Sequence, residues 1–356
     1  MLEAPTRWQR AVIALPAALA LVLAACAGDG AETDEAEAAA ADGAQEDEPQ
    51  DDVEQRDTEQ DGAEPDDGPL SFTDAEGVTV EFDQPIERVV CLTGPCVDIL
   101  AELDHEPAGI LGPRLVTDER YFGAAGEDVP VLEGSFDDPD LESLAAMDPD
   151  LVIGLTGFQS QNRDAFESVA PFVALGAPTL DAVYDNLRGI ATLLDREDLA
   201  EQAVASTEEL LDAYAGEAPG DVSVIHMVGF GSDFTVSVSG SLYGSVLGEL
   251  FDYPWDAPVN EDDPTGLVPF SLEEVLDQDP DWLFVADLDA GFGGDPWTDQ
   301  FQDHPVWNEL SAVQQGQVEL VDTGAWINYR GTRAVRLVLD DAATTVYAEQ
   351  FPEPLG

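Results

Sequence analysis

The sequence predicts an α/β fold of two lobes joined by a long helix, and three observations carry that prediction. The stretch LESLAAMDPDLVI, Leu141 to Ile153, returns as LEEVLDQDPDWLF, Leu272 to Phe284, so that Glu142 aligns with Glu273 at a distance of 131 residues (273 − 142) and Asp148-Pro149-Asp150 with Asp279-Pro280-Asp281. That spacing is the length of a domain. On both sides of the midpoint, short apolar runs alternate with helical segments, the pattern of a mainly parallel sheet covered by helices. Between the halves, Thr179 to Gly216 is almost wholly helical, with Leu199, Ala203, Leu210, Leu211 and Tyr214 at helical spacing and Gly216 as a stop.

The elements follow in chain order. Residues 1–25 read as an export signal: Arg7 and Arg10 form a basic start, Ala11 to Ala25 is an apolar core too short for a bilayer-spanning helix, and small residues precede Cys26. The ending Leu23-Ala24-Ala25-Cys26 resembles the lipobox of bacterial lipoproteins, which makes Cys26 a lipid attachment site; an ordinary cleavage site beside a chance cysteine is the alternative. Residues 26–68 are Ala, Asp, Glu, Gln and Gly with almost no large apolar side chain, a composition expected to give a disordered acidic tether. An N-terminal lobe is expected over 69–178. It opens with two short extended pieces around Glu76-Gly77, then a strand at Arg88 to Leu92, a helix near Val97 to Leu103 and a strand at Ala108 to Leu111. A helix from about Asp140 to Met147 is expected to stop at Asp148-Pro149, because proline disfavours helical geometry in the residue before it; Leu151 to Ile153 then form a strand. The connecting region is 179–218, with a helix from about Glu197 to Ala215 as strut. The C-terminal lobe, 219–356, repeats the pattern: strand Val222 to Val228, helix Leu242 to Phe251, helix Leu272 to Gln278, strands Trp282 to Val285 and Val318 to Val321, and a terminal helix from Thr332 to about Gln350.

Composition bounds the function. With 76 acidic residues against 12 arginines and no lysine, the formal net charge is −64. A field of that sign repels phosphate backbones and anionic headgroups, so no nucleic-acid role is expected, and contact with a membrane is expected through a lipid anchor only. Adaptation to high salt is the other reading of such acidity. Cys91 and Cys96 in CLTGPC are expected to form a disulfide after export; metal ligation is the rival, but C-x4-C without a nearby His lacks a full coordination set, so no metal site is assigned. There is no G-x-S-x-G, P-loop or H-E-x-x-H, and no enzyme activity is expected. A lipid-anchored surface hydrolase using a pair such as Asp137-Asp138 is a remote alternative, since carboxylate pairs are expected by chance in so acidic a chain.

The segments TDAEGVTVEFDQPIERVVCL, DLESLAAMDPDLVI, NLRGIATLLDRED, SLEEVLDQDPDWLFV and WINYRGTRAVRLVLDDAA resemble, in that order and over about Leu70 to Phe351, the solute-binding lipoproteins of bacterial ABC importers for ferric siderophores, haem and cobalamin. The resemblance implies two Rossmann-like lobes joined by a single long α-helix, with the ligand in the cleft between them. It implies a monomer on the extracytoplasmic face of the cell membrane that holds no cofactor, binds a small-molecule metal chelate such as an Fe(III)-siderophore complex, and works with an ABC permease and its ATPase. Haem or cobalamin is the alternative ligand. By motif position it places permease docking on Glu142 and Glu273, with Glu274 competing for the second role; an acid in the first turn of any helix is the plainer explanation.

Ligands of open α/β sheets lie beyond the carboxyl ends of the strands. That rule selects Leu92 to Cys96, Gly112 to Leu115 and Gly154 to Gln159 in the first lobe, and Gly229 to Phe234, Gly240 to Tyr243, Asp287 to Gly294 and Ala325 to Arg330 in the second. Within them the ligand-binding candidates are Arg114, Phe158, Tyr243, Phe292, Trp326, Tyr329 and Arg330: rings supply contact area and arginines neutralise oxygen charge. A structural ion pair is the alternative for each arginine, and a place in the core for Tyr243 and Trp326. His226, inside a strand pattern, reads as a satisfied core histidine before an iron ligand.

Overall fold

Leu70–Thr73 (β1) and Thr79–Phe82 (β2) pair antiparallel, with Leu70 opposite Phe82, around a turn where Gly77 takes φ 77° and the Asp74 carboxylate accepts the amides of Glu76 and Val78 at 2.9 and 3.0 Å. This computed structural model describes residues 68–231, 233–259, 265–288, 294 and 296–356, which fall within one unit, Ala63–Gly356. The expected signal peptide, Cys26 and all but the last residue of the tether lie outside the described residues, as does Phe292.

The first lobe is built on Val89–Cys91 (β3), Gly94–Glu102 (α1), Gly109–Ile110 (β4), Pro113–Val116 (α2), Leu141–Ala146 (α3), Leu151–Leu155 (β5), Arg163–Glu167 (α4) and Phe172–Leu175 (β6). Its four strands are all parallel in the order β4-β3-β5-β6, with Val89 beside Leu151 and Val152 beside Phe172. Strands covered on both faces carry continuous apolar runs, as VVC and FVAL do here. Helix α1 starts three residues ahead of the expected Val97, because Pro95 presets the first turn. The Asp140 side chain caps α3 by accepting the Ser143 amide at 2.7 Å. Asp148 then turns left-handed at φ 49°, and Asp150 Oδ2 accepts the amides of Glu87 and Arg88 at 2.9 and 2.8 Å, fixing the entry to β3.

The passage to the second lobe is helical. It contains two helices, Leu180–Leu194 (α5) and Glu197–Glu217 (α6). Asp195 adopts φ 55° between them, a left-handed conformation that aspartate tolerates better than most residues and that ends α5. The second of the pair is the long helix expected from Glu197, extending two residues past Ala215.

Val224–Phe230 (β7), Asp233–Ser237 (β8), Leu242–Gly248 (α7), Leu267–Pro269 (β9), Leu272–Gln278 (α8), Trp282–Asp287 (β10), Ser311–Gln315 (α9), Val318–Val321 (β11) and Thr332–Val346 (α10) make the second lobe. Its sheet runs β11-β10-β7-β8-β9; β11, β10 and β7 are parallel, whereas β8 and β9 are antiparallel additions. The repeated motif repeats its structural work. Asp279 is left-handed at φ 43°, and Asp281 Oδ2 accepts both the amide and the hydroxyl of Ser223 at 2.9 Å, at the entry to β7.

One apolar core crosses between the lobes, joining Val89 and Leu151 to Trp326 and Val338. At the same seam, Asp98 of α1 is fully buried and caps α10 from the opposite lobe: it accepts the amides of Arg333 and Ala334 at 3.2 and 2.9 Å and the Tyr121 hydroxyl at 3.1 Å. Gly331 is required there, since a Cβ would stand 2.0 Å from Asp98 Oδ1. Glu102 receives Arg333 Nε at 3.0 Å and Arg336 Nη2 at 2.6 Å.

Candidate functional site

The carboxyl ends of the parallel strands converge on a cavity of about 700 Å³ between the lobes. From the first lobe it receives Leu92 to Pro95 after β3, Leu111 to Leu115 after β4, Leu155, Thr156 and Phe158 at the end of β5, Ala177 after β6, and Gly134 to Phe136. From the second come Val228, Thr265, Leu267, Leu288, Asp322 to Gly324 and Ile327 to Arg330. A cavity of this size, mostly apolar with a few convergent polar groups, has the form of a small-molecule site.

Four of the expected ligand residues reach it: Arg114, Phe158, Tyr329 and Arg330. Arg114 lies on α2, whose first turn is preset by Pro113; it is exposed and makes no hydrogen bond or ion pair among the described residues. Phe158 is 42% exposed and packs edge-on against Phe136, 44% exposed, with ring centroids 5.7 Å apart. Tyr329 stacks on Tyr121 at 3.9 Å and donates its hydroxyl to the Leu115 carbonyl at 2.9 Å, tying the lobes across one end of the cavity. Burial pushes its phenol above the ordinary range, the Asp118 charge adding to the effect. Arg330, left-handed at φ 49°, donates to the Ala177 and Thr265 carbonyls at 2.7 and 2.9 Å and lies over the Tyr243 ring.

Tyr243 and Trp326 are placed elsewhere. They are 1% and 0% exposed, in the core behind the cavity wall. Gly324–Tyr329, expected as a loop, forms a wide helical turn; the Tyr243 hydroxyl donates to Ala325 O at 2.8 Å and Trp326 Nε1 to Asp341 at 3.1 Å, so both rings support that turn from behind. The described residues of Gly229 to Phe234, and those of Gly240 to Tyr243, also miss the cavity. The strand-end rule presumes a crossover after each strand, whereas β7 returns directly into the antiparallel β8. His226 is fully buried within β7, paired through Nδ1 with the Ser237 hydroxyl at 2.8 Å; burial pushes it down to about 3, with the Arg330 charge adding.

Sequence reasoning missed Asp118, Arg120, Phe136 and Asp322. Arg120 Nη2 pairs with Asp118 at 2.6 Å in the first lobe and with Asp322 at 3.0 Å in the second, spanning the cleft. The Arg120 hydrogen bond, outweighing burial, holds the Asp118 carboxyl below its ordinary range. Arginine is scarce in so acidic a chain, and that scarcity could have pointed to Arg120. Cys91 and Cys96 are joined by a disulfide, Cα–Cα 5.5 Å, that closes the segment bearing Leu92 to Pro95. Among the described residues there is no cluster of three or more His, Cys, Asp or Glu placed to hold a metal ion, and no helix long and apolar enough to cross a membrane.

Glu142 and Glu273 occupy equivalent exposed positions in the first turns of α3 and α8. Glu274 is differently employed: its carboxylate accepts the Ser271 amide at 2.8 Å while its own amide donates to Ser271 Oγ at 3.2 Å, a closed capping box.

Known proteins share both sequence and fold. The chain is 26% identical over 278 residues to the Fe(3+)-citrate-binding protein YfmC of Bacillus subtilis, an alignment covering 77% of this chain and 85% of that one. The structure of the petrobactin-binding protein YclQ of the same organism superposes with a TM-score of 0.63 at 20% identity, covering 78% of this chain and 98% of that one. The iron uptake ABC transporter substrate-binding protein PiuA of Streptococcus pneumoniae matches with the same TM-score of 0.63 at 19% identity, again over 78% and 98%. Residues 89–323 match the periplasmic binding protein family, a span that contains every strand of the four- and five-stranded sheets, and the chain belongs to that family.

Proposed function

We propose that this chain is the extracytoplasmic solute-binding component of an ABC importer and that its cleft captures a ferric siderophore. The observation that carries the reading is the interlobe cavity itself, of about 700 Å³, walled by apolar side chains with an exposed Phe136–Phe158 pair and a cation, Arg114, left without a partner among the described residues. Relatives named for Fe(3+)-citrate and petrobactin support the ligand class. Capture and release ask for no nucleophile or general base, so the function is binding without catalysis. In this reading Cys26 carries the lipid, residues 26–68 tether the protein to the outer face of the membrane, and the monomer divides into lobes 69–178 and 219–356 with 179–218 between them. Glu142 and Glu273 dock onto the permease, which an ATPase drives. Two carboxylates at equivalent places on two related lobes suit a permease with two related halves.

Titrating the protein's tryptophan fluorescence with ferric hydroxamate, catecholate and carboxylate chelates, haem and cobalamin tests this. At least one ferric chelate is expected to quench with a Kd of about 1 μM or tighter. Quenching by haem or cobalamin alone would move the ligand assignment to that compound and end the siderophore reading.

A further inference from the structure

We infer that the chelate this cleft accepts is close to electrically neutral, a ferric tris-hydroxamate and not a tris-catecholate or citrate polyanion. The inference rests on the ferric-chelate reading of the site and adds a charge to it.

The absence of lysine makes the cations countable. Of the 12 arginines, Arg7, Arg10 and Arg56 precede the described residues, and no other undescribed position is Arg or Lys. Every cation of the folded part is therefore located. Arg163 and Arg188 pair with carboxylates and Arg88 with main-chain carbonyls; Arg333 and Arg336 hold Glu102 at the seam, and Arg196 stands at the joint between α5 and α6. None of these lines the cavity, and neither does any histidine. Among the described residues the cleft has Arg114, Arg120 and Arg330, against Asp118 and Asp322.

Two of those three arginines are already engaged. Arg330 gives hydrogens to two carbonyls, at 2.7 and 2.9 Å. Arg120 bridges Asp118 and Asp322, and turning it toward a ligand would release two carboxylates into the same space. Among the described residues the cleft thus offers one unpaired cation, Arg114, and a surplus of one positive charge. Iron(III) bound by three hydroxamates, each a monoanion, is neutral. Iron(III) bound by three catecholates, each a dianion, carries three negative charges, of which two would be buried without a counter-charge, an arrangement burial strongly disfavours. The chain's net charge of −64 acts in the same direction from outside, since it repels an approaching polyanion. For a neutral chelate, Arg114 donates hydrogen bonds to ligand oxygens, and Phe136 and Phe158 cover its hydrocarbon.

The test titrates the full-length protein with ferrichrome, ferric enterobactin and ferric dicitrate at one salt concentration. Ferrichrome is expected to bind at least about tenfold more tightly than either polyanion. In D118N/D322N, which frees Arg120, the deficit of ferric enterobactin relative to ferrichrome is expected to shrink by about tenfold, and a cooperative chemical-unfolding transition shows that the variant is folded. If either polyanion binds the wild type as tightly as ferrichrome, the charge inference is overturned and the ferric-chelate reading stands. If no ferric chelate binds, both are overturned.

Discussion

Replacing Asp98 by asparagine should remove a pH dependence that the seam builds into the protein. Asp98 is fully buried, and burial, helped by the charge of Glu102, raises its pKa from 3.8 to about 6. An acid whose pKa is raised in the folded state holds its proton more tightly there than in the unfolded chain, so its contribution to stability is largest at low pH and declines as pH rises from 3.8 through about 6. At about 1.4 kcal/mol per pH unit, the decline across that window is about 3 kcal/mol. Asparagine keeps an oxygen for the Ala334 amide, carries no charge and is itself a good cap. Denaturant unfolding of wild type and D98N at several pH values between about 4 and 7 gives the difference in stability, and pairwise subtraction removes the carboxylates common to both proteins. That difference should move in favour of D98N by about 2.4 kcal/mol as pH rises over that range. A difference that stays constant within about 0.5 kcal/mol would refute the reasoning, because Asp98 would then titrate alike in the folded and unfolded chains.

Three further outcomes are expected. Reversing both Glu142 and Glu273 to arginine should abolish uptake in cells while leaving chelate affinity unchanged; E274A should instead keep uptake and lose about 1 kcal/mol of stability with its capping box, read by chemical unfolding. Truncating Phe136 and Phe158 together to alanine should weaken chelate binding about tenfold with little change in melting temperature, because both rings are more than 40% exposed and contribute little to the core. The double variant C91S/C96S should lose about 2 kcal/mol, the loop-closure value for so short a ring, and a loss below about 0.5 kcal/mol would show that the segment is held by packing alone.

Much of this fold is written in local patterns that sequence reasoning can reach. The Asp-Pro-Asp repeat marks the end of a helix and the start of a strand in both lobes, because each of its steps is local: proline stops the helix, one aspartate turns left-handed and the next caps the neighbouring strand's entry. Helix α8 begins and ends where its capping serine and its periodicity place it. What escaped was decided by distant partners. Whether β7 is followed by a crossover or a hairpin depends on where β8 and β9 find pairing, so the loops after β7 were assigned to a cleft they do not reach. Tyr243 and Trp326 have the composition of ligand contacts, yet their neighbours Ala325 and Asp341 draw them behind the wall. Asp118, Arg120 and Asp322 form a site only when residues about 200 positions apart meet, and no local window contains that pairing.

The borrowed cap on α10 has a consequence for how this chain reaches its final state. A helix whose first amides are satisfied only by an aspartate more than two hundred positions earlier cannot settle its own beginning, and the aspartate, once buried, cannot discharge its cost without those amides. Neither lobe is therefore a self-sufficient folding unit. A chain made with its amino end first must hold the early lobe unfinished until residues 332–346 arrive. Loss of the final segment should then be felt as collapse of the whole, in a single cooperative transition.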